Sequence, residues 1–382
     1  MLERRFFEVS EAAAERWQVP ALAVGVLAGG ESETFAVGCA PETRFRVASI
    51  TKPFVAHLVL SLLDADEPTG VWPADVRVRH LLSHTAGFDC ELPHSDMTGF
   101  GDGDDALARC VAELPSVRRL VGLDQLWSYC NPGYWLAGSL AAARAGSTFE
   151  DAIATHVCAA AALDATDFGE PDISGTGRDV RGYPRARRPS GGLVSTVDDL
   201  LRFASWHLEQ PLGAQMRVVT AKPVRGVYGF GLFGERVAGV DVWGHSGSFG
   251  GFQSSLLIVP DREAAFVGLT NSEIGSKALR EVEDEFFALV IGARRAVPTV
   301  VELSPELYAA RVGTYANAGG SWRVAYDGDD GLVVTTNGET FRARAIDDSS
   351  FYVPEGRHIY ERFDFPRDGF GRFGSTLAER VA

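Results

Sequence analysis

Apolar residues recur at Leu2, Phe6, Val9, Ala13 and Trp17 between charged neighbours, the spacing of an amphipathic helix. A short apolar run from Ala21 to Leu27 ends in Ala28-Gly29-Gly30 and predicts a strand and a turn, after which Glu33 to Val37 can pair back. Phe54 to Leu63 is apolar almost throughout, as in a buried helix. From there to about Ala162 the apolar spacing is mainly helical with long loops. Within it Phe88 to Asp105, rich in Asp and Gly, is expected to be an exposed loop. Val197 to Leu208 predicts a further amphipathic helix. Asp241 to Trp243, Gln253 to Pro260 and Glu263 to Thr270 predict strands, the last two joined through Pro260-Asp261-Arg262, and Ile274 to Ile291 a closing helix. Strands at both ends thus bracket a helical middle, the pattern of an α/β sheet with an all-helical insertion.

The pattern changes near Ala293 to Pro298. Beyond it, period-two segments take over: Trp322 to Tyr326, Leu332 to Thr336, Thr340 to Ala345, Phe351 to Pro354 and Ile359 to Phe365. Turn signals separate them, including Asp329-Asp330-Gly331 and Asn337-Gly338. Residues 298–382 are therefore expected to form a small antiparallel β domain. A core of that size is marginal alone, so it should pack against the larger domain.

Hydrophobic residues make up 46% and charged residues 23%, which places the chain among ordinary globular proteins. No apolar run approaches the roughly 20 residues that a membrane span requires. The net charge of -15 argues against nucleic acid, whose phosphates need a basic surface. Five cysteines at 39, 90, 110, 130 and 158 show neither a CxxC nor zinc-ligand spacing, so reduced thiols and no metal site are expected. The charged stretch up to Gln18 lacks the apolar core of a signal peptide, which points to a cytoplasmic protein. Three lysines stand against 33 arginines, so a lysine inside a motif draws notice.

One of the three is in Ser49-Ile50-Thr51-Lys52, an S-x-x-K. Residues i and i+3 share a helix face, so Lys52 can reach Ser49. Pro53 is tolerated only in a helix's first turn, which starts the helix at about Ile50 and leaves Ser49 at its mouth. There the helix dipole favours developing negative charge. A serine hydroxyl needs a base to become a nucleophile, and a lysine desolvated by burial can serve. Tyr129-Cys130-Asn131 is a Y-x-N: the phenol could relay a proton and the amide could orient the lysine and a substrate carbonyl. Tyr315-Ala316-Asn317 repeats the tripeptide in the β region, where it reads as a strand end, so the pattern counts only by position. His245-Ser246-Gly247-Ser248 contains H-x-G, which eight histidines and 42 glycines produce by chance about once. Small residues on a strand edge let a substrate backbone pair alongside. The Ser248 N–H could face the Ser49 N–H across an oxyanion.

The order S-x-x-K, Y-x-N, H-x-G resembles that of the penicillin-recognising serine hydrolases, and in particular the class C β-lactamase-like family. That family also holds D-aminopeptidases, DD-carboxypeptidase-like enzymes, esterases and peptide-cyclising thioesterases. Phe45 to Phe54 is similar to its nucleophile segment, Leu81 to Phe88 to its most recognisable loop, Ser128 to Tyr134 to its tyrosine loop, and Ser190 to Thr196 to the segment before a long helix. Tyr228 to Gly231 and Gly244 to Phe252 complete the likeness, which spans about residues 5–292. It implies a β-lactamase/transpeptidase-like fold, an antiparallel sheet flanked by helices, in a domain 1–297 with a helical insertion at about 54–190. It also implies a lipocalin-like, barrel-like domain at 298–382. Carried over, it makes Ser49 the nucleophile, Lys52 and Tyr129 the acid–base pair, Asn131 a positioning residue and His245 the third-motif residue. Ser246, Gly247 and Ser248 would line the substrate edge, with the Ser49 and Ser248 N–H groups as oxyanion hole.

The implied reaction opens an ester or amide of a small-molecule or peptide substrate through an acyl-enzyme, without metal or organic cofactor. Transfer to an amine, as in peptide cyclisation, is the alternative, with a carrier protein or a second copy as partner. A catalytically inactive binding protein is a rival of another class, against which the intact Ser, Lys, Tyr and Asn argue. Where β-lactamases usually carry lysine in the third motif, this chain has His245, mostly neutral at pH 7. His84 is expected to be a buried structural histidine. Arg185, Arg187 and Arg188 form a basic run that suits a solvated loop or an anionic substrate or carrier, and the aspartates of residues 101–105 a solvated loop.

Overall fold

The computed structural model describes residues 4–70, 74–93, 97–177, 182–329 and 331–382. Leu2 of the first helical pattern and Asp330 of one turn signal lie outside them. The longer helices are α1 (Arg4–Arg16), α2 (Thr51–Leu62), α3 (Asn131–Ala145), α4 (Val197–Glu209) and α5 (Gly275–Val290). The central sheet uses β1 (Leu22–Ala28), β2 (Glu31–Val37), β3 (Val227–Tyr228), β4 (Phe233–Val237), β5 (Val240–Phe249), β6 (Phe252–Val259) and β7 (Ala264–Thr270). Their order is β2-β1-β7-β6-β5-β4-β3, and every pairing is antiparallel.

α1 and α5 cover one face of this sheet, where Phe6, Phe266 and Phe286 join one core. α4 covers the other, so close to β1 that a Cβ on Gly25 would lie 2.4 Å from Val197 Cγ1. α2 is buried at every position from Thr51 to Leu60, which is why its sequence is apolar all round. It packs against α3 in the helical part, whose remaining helices are short.

The expected elements are present with shifted ends. β5 runs through Phe249, so the H-x-G segment lies inside a strand and does not follow one. β3 and β4 were not legible: Tyr228 to Gly231 is glycine-broken and Phe233 to Val237 does not alternate cleanly. The stretch 88–105 is not simply an exposed loop, since Phe88, Asp89, Cys90 and Leu92 are buried. Its first residues fold inward beneath the barrel described next.

That barrel is closed and eight-stranded: β8 (Gly313–Asn317), β9 (Gly320–Ala325), β10 (Leu332–Thr336), β11 (Glu339–Ala345), β12 (Ser350–Tyr352), β13 (Arg362–Arg367), β14 (Phe370–Phe373) and β15 (Thr376–Arg380). Closure by the β8–β15 pair leaves no free sheet edge. Asn337-Gly338 turns β10 into β11 with both residues at positive φ, the two-residue hairpin its sequence calls for. Ile359 to Glu361 precede β13 and are not part of it. Phe351, Phe363, Phe365 and Phe373 fill the interior, with Trp322 stacked on Phe373 at 4.9 Å. Among the described residues no helix is long and apolar enough to cross a membrane.

Candidate active site

The chain leaves the two-residue strand Phe45–Arg46, which pairs with Val194–Ser195, and tightens into a 3-10 turn, Ala48–Ile50, ahead of α2. Ser49 is thus in that turn, and the α-helix starts at Thr51, one residue later than expected. Ala48 takes φ 46°, a left-handed conformation that an L-residue adopts at a cost of about 1–2 kcal/mol. The Thr51 hydroxyl donates to the Ala48 carbonyl at 2.7 Å and accepts from the Leu193 N–H at 3.1 Å, which holds the turn. Pro53 sits in the first turn of α2, where its missing N–H costs nothing.

Lys52 is fully buried. Its Nζ lies 3.3 Å from Ser49 Oγ, 3.0 Å from Asn131 Oδ1 and 2.5 Å from the Ser190 carbonyl. Desolvation drives its pKa well below the ordinary value; Glu91 opposes the shift and Arg187 adds to it. A neutral amine has two N–H donors and one lone pair. In the unprotonated form the Asn131 and Ser190 oxygens would take the two donors and leave the lone pair for the Ser49 O–H.

Tyr129 is beside this pair. Its ring lies 4.7 Å from Lys52 Nζ, and burial pushes its phenol well above the usual 10, against a hydrogen bond with Ser49 that lowers it. It therefore stays protonated at neutral pH. Asn131 opens α3, and its amide is fixed from behind: Nδ2 donates to Glu91 Oε1 at 2.6 Å, and Glu91 pairs with Arg187 at 2.7 Å. The line Arg187–Glu91–Asn131–Lys52 is a positioning relay that sequence reading missed at Glu91, a residue lost in an apparently exposed loop. The basic run is used internally: Arg185 and Arg188 both bind Glu150, at 3.0 and 2.6 Å, while Arg187 serves the relay. Neither a solvated loop nor a site for an external anion describes it.

His84 supports the tyrosine loop from below. Its Nδ1 accepts from the Cys130 N–H at 3.0 Å, and its ring lies 4.3 Å from that of Tyr129. Burial depresses its pKa well below the ordinary value, with Lys52 and His245 adding to the shift.

β5 supplies the opposite wall. β4 pairs with it only as far as Gly244, so residues 245–249 lie beyond the reach of that neighbour. His245 is buried and its Nδ1–H donates to the Ser246 carbonyl at 2.6 Å. Burial, helped by Lys52, lowers its pKa to about 3, so the ring is neutral. Ser246 and Ser248 are exposed toward the cavity, and Gly247 is buried. A Cβ on Gly247 would meet Val47 O at 2.2 Å and Ser49 N at 3.0 Å. The strand edge and the Ser49 backbone touch there because no side chain intervenes. Gly247→Ala should push the Ser49 turn aside and slow acylation about 10²-fold, the usual consequence of misplacing a reacting group by an ångström. Wild-type labelling rates in a folded Gly247→Ala protein would contradict this.

The barrel reaches the same place. The Tyr129 N–H donates to the Ser375 carbonyl at 2.9 Å and the Leu377 N–H to Ser128 Oγ at 3.2 Å. Arg372 donates to the Trp127 and Lys222 carbonyls at 3.2 and 3.1 Å. The β14–β15 hairpin thus roofs a cavity of about 270 Å³ lined by Ser49, Tyr129, His245 and Ser375.

A family model described as Beta-lactamase matches residues 9–285, most of the chain. The chain belongs to the beta-lactamase family. Penicillin-binding protein 4 of Amycolatopsis lactamdurans is 27% identical over 360 residues, covering 78% of this chain and 90% of that protein. Among solved structures, SurE with D-Leu superposes with a TM-score of 0.77 at 23% identity over 99% of both chains. The D-amino acid amidase of Ochrobactrum anthropi SV3, complexed with L-phenylalanine, gives 0.64 at 22% over 76% of this chain and 99% of that one. The SurE match extends through the barrel, so the two-part architecture is shared.

Proposed function

We propose that this protein is a serine acyl hydrolase that opens an ester or amide bond of a small or peptide-like substrate through an acyl-enzyme on Ser49. The observation that carries the reading is the buried Lys52 amine, its pKa pushed well below the ordinary value by desolvation, anchored on the Asn131 and Ser190 oxygens and 3.3 Å from Ser49 Oγ. Ser49 attacks the carbonyl carbon while Lys52 takes its proton. The oxyanion is held by the N–H groups of Ser49 and Ser248. Tyr129, protonated at neutral pH, hands its proton to the leaving group and recovers one through Lys52. The C–O or C–N bond breaks, leaving the acyl group on Oγ until water attacks. The free edge of β5 accommodates the acyl backbone. A D-configured residue at the acylated carbonyl is favoured by the likeness to D-amino acid amidase and to SurE with D-Leu. Transfer to an amine is a second reading, supported by a further cavity that adjoins the Ser49 cavity at His245 and Ser246 and offers room for an acceptor.

The test is a panel of D- and L-amino acid esters and amides, with and without an added amine. Turnover of the D series, split between acid and amide product, fits the reading; no turnover of any ester or amide rejects it. Benzylpenicillin should be turned over at least about 10²-fold more slowly than the best ester, because a neutral His245 offers no fixed cation for its carboxylate. Equal rates would contradict that argument.

A further inference from the structure

Beyond His245 a second cavity, of about 450 Å³, lies between α5, the β4–β6 end of the sheet and the barrel. It shares Phe233, His245, Ser246, Ser255, Glu283 and Ser375 with the Ser49 cavity, so a substrate can occupy both. Trp127, Val242, Trp243 and Leu257 give it apolar walls.

Its charges are unevenly matched. Glu235 is paired with Arg225 and with Arg295, the latter at 2.7 Å. Glu283 accepts from Arg295 and from the Ser255 hydroxyl, each at 2.6 Å, and Glu361 is 2.9 Å from His358 Nδ1. The carboxylates on the wall therefore already have partners. Arg280 is held less tightly: its buried Nε makes no hydrogen bond, and its ion pair with Asp284, one turn along α5, is long at 3.6 Å. Its guanidinium lies 5.4 Å from the Tyr360 ring, and Tyr360 keeps φ 75° with its N–H on the Val353 carbonyl. The guanidinium of Arg362, half-buried at the start of β13, makes no hydrogen bond or ion pair among the described residues. Burial, helped by the neighbouring Arg295 and Arg225, lowers the pKa of Arg280 to about 10 against the pull of Glu283 and Asp284, and burial with Arg225 lowers that of Arg362.

We propose that Arg280 and Arg362 make this chamber a binding site for a carboxylate carried by the substrate. The proposal rests on the acyl-transfer reading above and names the charged group such a substrate bears. Guanidinium forks match a carboxylate in shape as well as charge. One comes from α5 and the other from the barrel. The chamber therefore exists only while the barrel is docked, as Lys277 holds it through the Ile359 carbonyl at 2.7 Å. The site lies past His245, away from the third-motif position that is neutral here. The carboxylate can belong to the leaving or accepting group, or to the acyl group.

Calorimetry on the Ser49→Ala protein, with N-acetyl-D-alanine against its primary amide, reads the chamber without turnover. The acid should bind at least about 10-fold tighter, the scale of a charged hydrogen bond, and Arg362→Gln and Arg280→Gln should each erase most of that preference. Three thioesters of one framework, neutral, with a carboxylate on the leaving group, or with one on the acyl group, then locate the source by kcat/KM. Equal affinity for acid and amide, or a preference that survives both substitutions, overturns the chamber. Failure of Ser49 to acylate would overturn the reading beneath it while leaving the binding result to stand.

Discussion

Lys52→Ala should give a folded protein whose Ser49 is acylated about 10²–10⁴-fold more slowly, the range expected when a general base is lost. The size of the effect follows from the geometry. Ser49 Oγ has one candidate base within hydrogen-bond reach on α2, and complete burial pushes the pKa of that amine well below its ordinary value. A depressed pKa also fixes the sign of the pH dependence. The amine is the base only while unprotonated, so acylation should fall as pH drops through its lowered pKa, and a Lys52→Met protein should lack that limb. The relay predicts a smaller loss for Glu91→Gln, because Asn131 Nδ2 keeps an acceptor while the coupling to Arg187 weakens. Single-turnover acylation by an activated ester measures all three. A Lys52→Ala rate within a few-fold of wild type would remove the lysine from the chemistry.

Acid should unfold this protein earlier than its carboxylates alone require. His57, His84, His207 and His245 are at most 4% exposed, and burial lowers the pKa of each. His57 Nε2 faces His207 Nδ1 at 2.8 Å, and Arg217 lies 2.8 Å from His207 Nε2, so neither ring can accept a charge cheaply. In the unfolded chain each titrates near 6.5. Stability is therefore intact above about pH 6.5 and lost as pH falls toward the folded values, about 3 for His57 and His245. Each histidine contributes up to about 1.4 kcal/mol per pH unit in that window. Denaturant unfolding at pH 7, 6, 5 and 4 should show the fall. His57→Phe should flatten it by roughly one histidine's share, and stability unchanged between pH 7 and 5 would contradict the account.

The nucleophile segment was legible because its chemistry and its fold use the same residues. Lys52 must be i+3 from Ser49 and Pro53 must sit in a first turn, so spacing alone placed them together. Tyr129, Asn131 and His245 were legible only through their order along the chain, since nothing in Y-x-N or H-x-G brings them to Ser49 without the sheet and α3. Glu91 and Ser190 escaped because one acts from a loop and the other through a main-chain carbonyl, which no side-chain motif records. β14 and β15 escaped for a different reason. Phe370-Gly371-Arg372-Phe373 does not alternate, because Phe370 and Arg372 lie on the barrel's outer face and are buried there against the larger domain, Arg372 paired with Asp364 and bonded to the Trp127 and Lys222 carbonyls. That missed hairpin is the one that carries Ser375 to the catalytic mouth.

The central claim is that Ser49 is the residue that becomes acylated. Intact-mass and peptide mapping after treatment with a fluorophosphonate or an activated D-amino acid ester reads this directly. One adduct is expected, on the peptide containing Ser49 and absent from Ser49→Ala. An adduct on another serine, or undiminished labelling of Ser49→Ala, would contradict it.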